Sequence, residues 1–145
     1  MKRSFLSLAF CILCATTSSA AAADCASPGI ERREANADIG YCEVVRAGDF
    51  VYISGNVGWG AMPDAVKRAY DSLGRLLGEN GLSFADVVKE NVYTTDMEAL
   101  KAARSIRNAY YGETFPAATW VQVDRLFNEG LVLEVELVAY APRNK

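Results

Sequence analysis

The sequence predicts an α+β fold in which two helices pack on one face of a single sheet, in the order βββ-α-β-α-ββ. Three observations predict it. Cys42–Ala47 and Phe50–Ser54 are short β-branched and aromatic runs, preceded by a further short strand at Ile30–Ala35. From Asp64 to Asn80, residues Val66, Ala69, Tyr70, Leu73, Leu76 and Leu77 fall on one helical stripe, with Lys67, Arg68, Asp71 and Arg75 on the opposite side. Phe115–Val123 and Leu131–Ala139 then read as two strands joined by a short turn.

In chain order, Met1–Ala23 has the layout of a secretory signal peptide. Lys2 and Arg3 form the basic start, Phe5–Ala15 is a short apolar run, and Ser18–Ala23 supplies small residues for cleavage. The apolar run is shorter than the roughly 20 residues of a membrane span. Asp24 before Cys25 does not suit lipidation. The expectation is a soluble exported protein, periplasmic or secreted, with no membrane attachment after cleavage. Residues 24–145 then form one domain, since a chain of this length holds one core.

Asn36–Gly40 is a turn, and Ala47-Gly48-Asp49 closes a hairpin. Asn56–Pro63 is glycine-rich with neither strand nor helix period, and is predicted to be a loop. Asn80-Gly81 stops the first helix, and Val87–Tyr93 returns as a strand. Thr95-x-x-Glu98 has the pattern of a capping box for the second helix, with Leu100, Ala103, Ile106 and Tyr110 inward and Gly112 at its end. With both helices on one sheet face, the other face needs cover, which a domain this small readily finds in a closed oligomer.

Composition narrows the chemistry. Acidic residues outnumber basic ones, 18 to 15, and removal of Lys2 and Arg3 would widen the gap. Nucleic-acid binding needs clustered Lys and Arg, so no nucleic-acid partner is expected. There is no histidine, which removes Ser-His-Asp and Cys-His nucleophile systems and the usual imidazole metal ligands. Cys25 and Cys42 alone would survive cleavage, too few for a cysteine-only metal site. They either pair in an oxidising compartment or stay as free or intermolecular thiols. No metal and no cofactor are expected.

Several motifs then fall in a fixed order. They are Gly40-Tyr41, Arg46-x-Gly48-x-x-Val51-x-Ile53-Ser54-Gly55, Gly81-Leu82-x-x-x-Asp86-Val87-Val88, and the two C-terminal strands that open Phe115-Pro116-Ala117-Ala118. Together, from about Ile39 to Ala141, the chain resembles the Rid family of reactive intermediate deaminases, also called the YjgF family. The resemblance implies a chorismate-mutase-like α+β fold and a homotrimer with small-molecule clefts between neighbouring subunits.

It also implies roles for residues. Glu134 matches the glutamate that positions the hydrolytic water, and a carboxylate suits this because it can accept a proton from water attacking an imine carbon. Strand alternation puts Glu134 on one face with Val132 and Glu136, where it either meets a cleft or is solvated. Tyr41 matches a cleft tyrosine, and its plain alternative is an amphipathic strand-edge residue. Ser54 and Gly55 correspond to pocket-lining backbone. Trp59 either lids the cleft and stacks on a planar ligand or covers apolar surface.

One position departs from the pattern. Deaminating members carry arginine where this chain has Ala118, and that arginine holds the substrate carboxylate through a bidentate, charge-assisted pair. Arg104, on the second helix, is the candidate replacement, or else a solvated helix arginine. Three functions follow: a cofactor-free hydrolase of imines or enamines with an altered substrate, a non-catalytic binder of a small metabolite, or a structural, holdase-like trimer. Efficient deamination of 2-imino acids is not expected.

Overall fold

The computed structural model describes residues 29–143. The segment expected to be a signal peptide and Cys25 therefore lie outside the described residues. Six strands form one sheet: β1 (Ile30–Asn36), β2 (Tyr41–Ala47), β3 (Phe50–Trp59), β4 (Val87–Thr94), β5 (Ala117–Gln122) and β6 (Leu131–Tyr140), in spatial order β1-β2-β3-β6-β4-β5. All neighbours run antiparallel except the β4–β5 pair. Helices α1 (Met62–Glu79) and α2 (Met97–Tyr111) pack against each other, and α1 lies on β3 and β6. The predicted fold class and element order are what the chain adopts.

Alternation divides the sheet into two unlike faces. Val51, Ile53, Val92, Leu133, Val135, Leu137 and Ala139 point to the helices, where they meet Ala65, Val66, Ala69, Leu73, Leu76 and Leu77 of α1 in one core. The opposite face is open. It carries Tyr52, Tyr93, Val132, Glu134, Glu136, Val138 and Tyr140, and Tyr52, Phe50 and Tyr140 are exposed.

Three details differ from the sequence reading, each for a physical reason. Asn56–Trp59 is strand, continuing β3, where a loop is predicted. Ile53 pairs with Leu137 and Asn56 with Val135, so Ser54 and Gly55 together oppose Glu136 in a β-bulge. The extra residue and the glycines erase the period-two pattern. A Cβ at Gly55 would collide with the Glu134 carboxylate, and one at Gly58 with the Ala65 carbonyl of α1. Next, α1 begins at Met62, two residues before the predicted Asp64, because Pro63 suits a first turn whose N–H groups have no helical partner. Finally, Asp96 rather than Thr95 caps α2: its carboxylate accepts from the Ala99 N–H at 2.9 Å, while the Thr95 N–H donates to the Val132 carbonyl.

The helix side also holds an ion pair that the apolar stripes did not reveal. Glu90 of β4 is fully buried, and Arg107 of α2 nearly so, their closest N···O distance being 2.6 Å. The hydroxyls of Tyr70 and Tyr111 donate to Glu90 at 2.6 and 2.8 Å, and the Trp120 indole donates at 3.3 Å. Rings of Tyr111, Phe115 and Trp120 surround the guanidinium. The buried stripe of α2 is consequently Leu100, Ala103, Arg107 and Tyr111, with the predicted Ile106 and Tyr110 only half-buried.

Candidate functional site

On the open face, the β3 bulge and the middle of β6 frame a hollow of about 380 Å³. Ile39, Tyr41, Ser54, Gly55, Val57, Phe127, Asn128, Leu131 and Glu134 line it. Register builds it: Val57 of β3 and Tyr93 of β4 sit directly across from Glu134 on its two sides. Gly55, lacking a side chain, leaves the space that the Glu134 carboxylate occupies. The Ser54 hydroxyl donates to the Cys42 carbonyl at 2.7 Å and ties the start of β2 to the bulge, just where the ladder pairs of β2 and β3 stop at Val44 and Ile53. That tie holds Tyr41 at the rim.

Glu134 is half-buried, and no side chain among the described residues donates a hydrogen bond to it. Burial first, and the negative charge of Glu136 second, raise its carboxyl above the ordinary glutamate range. Such a group is a better proton acceptor once ionised than a solvated carboxylate. Opposite the rim, Phe127 is 69% exposed although its loop is anchored, with Leu126 buried on one side and the Leu131 N–H bound to the Asn128 carbonyl on the other.

One subunit thus brings together Tyr41, Ser54, Gly55 and Glu134. The other three predicted residues lie elsewhere. Trp59 ends β3 outside this lining, with the Arg68 guanidinium 4.9 Å above its ring. Arg104 is exposed on α2, and donates to the Lys101 carbonyl at 3.0 Å. Ala118 is on edge strand β5, in register with Glu90, and shares the helix-side face with Trp120. Ile39, Val57, Phe127, Asn128 and Leu131 were not singled out by sequence. The one available signal was Phe127, a large apolar residue in the otherwise mostly polar stretch from Asp124 to Gly130.

A second hollow of about 400 Å³ lies at the far end of the sheet, around Glu31, Arg46, Asp86 and Arg143. Its arginines are already engaged, Arg143 with Glu31 at 2.8 Å and Arg46 with the Ala141 carbonyl at 2.9 Å.

With fold and site in hand, comparison with known proteins places the chain. The family model described as Endoribonuclease L-PSP matches residues 32–141. The chain belongs to this family. A goat (Capra hircus) L-PSP relative named 2-iminobutanoate/2-iminopropanoate deaminase is 31% identical over 120 residues, covering 76% of this chain and 87% of its own. A RutC family protein from Pyrococcus abyssi is 29% identical over 109 residues, covering 69% of this chain and 85% of its own. Among solved structures, a YjgF/YER057c/UK114 family member from Mycobacterium tuberculosis superposes with a TM-score of 0.70 at 27% identity, over 77% of this chain and 99% of that one. A yjgF family member from Streptococcus pyogenes gives 0.73 at 25% identity, over 81% and 100%. The YjgF-type α+β fold expected from the motifs is therefore the fold observed.

Proposed function

We propose that this L-PSP family member binds a small, uncharged imine or related carbonyl derivative in the open-face hollow and hydrolyses it with Glu134. The observation that carries this reading is the lining: Glu134 is its one charged group among the described residues, set in an otherwise mostly apolar wall. A carboxylate ligand would face that charge with no cation to offset it. The position of the family arginine is Ala118, and Arg107, which packs against the residue across from it, is already ion-paired to Glu90.

In the proposed step, ionised Glu134 accepts a proton from water as the water oxygen bonds to the imine carbon. The C=N π pair moves to nitrogen, and Glu134 passes the proton taken from water to that nitrogen, giving a carbinolamine and restoring the carboxylate. Glu134 then takes the carbinolamine hydroxyl proton as the C=O bond forms and delivers it to the nitrogen as the C–N bond breaks, releasing the amine or ammonia and a carbonyl product. Nothing in the sequence requires a cofactor. Tyr41, Ser54 and Asn128 supply polar contacts at the rim, and Phe127 with Ile39, Val57 and Leu131 favours an apolar substituent.

The same reading includes a homotrimer in which the β5 edge of one copy, with Ala118, closes over the hollow of the next, while Arg104 stays on the solvated face of α2. The exposed aromatic residues of the open face support it. It also includes export directed by residues 1–23, checked by N-terminal sequencing of the mature protein.

The decisive experiment follows ammonia release from a freshly generated 2-imino acid and from an uncharged imine of similar size. Turnover of the uncharged imine that Glu134→Gln abolishes, with little turnover of the imino acid, is the expected result. Imino-acid hydrolysis matching an arginine-bearing relative would overturn it. If Ala118→Arg confers that activity, the remainder of the site is intact. A second reading, binding without turnover, is favoured by the same Ala118 and would appear as saturable binding with no product.

A further inference from the structure

Glu134 has a neighbour whose role is set by the fold. Glu136 lies two residues along β6 on the same open face. Its carboxylate is held in place by β4: the Asn91 side-chain amide donates to Oε1 at 2.6 Å, and the Tyr93 hydroxyl makes a longer 3.4 Å contact with the same oxygen. Register explains both contacts, since Asn91 sits directly across from Glu136 and Tyr93 directly across from Glu134. The two carboxylates therefore have opposite surroundings. Glu136 has two hydrogen-bond donors, and Glu134 has none among the described residues.

We propose that Glu136, pinned by Asn91 and Tyr93, is a positioning residue that keeps an immobile negative charge beside Glu134 and so strengthens Glu134 as a proton acceptor. The inference rests on the reading of Glu134 as the base. The groups facing Glu134 from each neighbouring element agree with it. From β3 these are Gly55 and Val57, neither charged; from β4, Tyr93; from β2, the Tyr41 ring at the rim; and from β6 itself, Glu136. No cation lines the hollow among the described residues to cancel the Glu136 charge. The donors hold Glu136 in one place, and the carboxyl left without a donor is Glu134. Asn91 and Tyr93 act on the chemistry through Glu136, without reaching the hollow's lining.

The test separates this inference from the reading beneath it. In full-length protein labelled with 13C at the glutamate carboxyl, the signal of Glu134 is assigned by Glu134→Gln and titrated. In Glu136→Gln the Glu134 midpoint should fall by about half a pH unit or more, the effect of one charge removed from a half-screened site roughly 7 Å away. Combining Asn91→Ala with Tyr93→Phe, which releases the Glu136 carboxylate from its two donors, should move the Glu134 midpoint in the same direction by a smaller amount. An unmoved Glu134 midpoint in Glu136→Gln, in protein whose circular dichroism is unchanged, overturns the proposal. The acid limb of the pH–rate profile for the uncharged imine then addresses the reading alone: it should move with the NMR midpoint. A limb that stays put while the midpoint moves would remove Glu134 from the chemistry and leave the positioning by Glu136 standing.

Discussion

At position 134 the fold puts a carboxyl where ionisation is costly, and the sign of that cost can be worked through. The folded-state pKa lies above the unfolded one, because burial and then Glu136 disfavour the charge. Below the ordinary glutamate range both states are protonated and Glu134 does not change stability with pH. As pH rises through the window between the ordinary and the raised value, the unfolded chain loses its proton first and stability falls. Glu134→Gln should therefore melt at or above the wild-type temperature at pH 7, with the margin vanishing near about pH 3.5, where the Glu134 carboxyl is neutral in the folded and the unfolded chain alike. A lower melting temperature at neutral pH would contradict the assignment. Activity should move the opposite way, being lost in the same variant. Phe127→Ala offers a complementary test at the rim: KM for an imine with an aromatic substituent should rise roughly tenfold, in line with losing apolar contact worth on the order of 1–2 kcal/mol, with kcat little changed.

Strands and helices depend on a few close approaches. Gly55 and Gly58 both lie in β3, yet a methyl group at each meets a different obstacle. At Gly55 it meets a carboxylate, and at Gly58 the backbone of α1. Gly55→Ala should cost about 1–3 kcal/mol, most of it recovered when combined with Glu134→Ala, because the opposing side chain is then absent. Gly58→Ala should cost at least as much and gain nothing from that second change. Urea denaturation of the four proteins decides both points. The Glu90–Arg107 pair joins β4 to α2, with Tyr70 bringing in α1 and Trp120 bringing in β5. Arg107→Met should cost about 3–5 kcal/mol by leaving a buried carboxylate without its cation, and changing Glu90 to Met as well should restore part of it. These two features also show why sequence reading stopped where it did. Strands and helices with apolar periodicity were legible, as in α1 and β6. A strand containing a bulge and two glycines carries no such pattern, and a buried glutamate looks like any polar residue until its arginine partner, seventeen positions away, is brought against it.

Across the whole molecule, the two faces of the sheet divide the labour. The helix face supplies the stability, and the open face carries the hollow together with exposed Phe50, Tyr52 and Tyr140. Sedimentation should give a trimer, and Tyr52→Asp combined with Tyr140→Asp should shift it toward smaller species while circular dichroism is retained; a wild-type monomer would reject the proposed assembly. Four of the nine lining residues, Tyr41, Ser54, Gly55 and Glu134, were named from the sequence. Ala118 and Arg104 belong to the opposite side of the sheet, and a linear sequence does not state which face of the fold a residue joins.

The bulge in β3 also sets what a change in chain length would do. Of the two residues that oppose Glu136, one is surplus to the ladder. Deleting Gly55 would leave Ile53, Asn56, Val57 and Gly58 with the partners they already have, each on its present face, and the ladder would run without a break from Ile53 to Gly58. The gap that Gly55 leaves for the Glu134 carboxylate would go with it. A single deletion in this strand would thus reshape the candidate site while leaving the pairing on either side as it is.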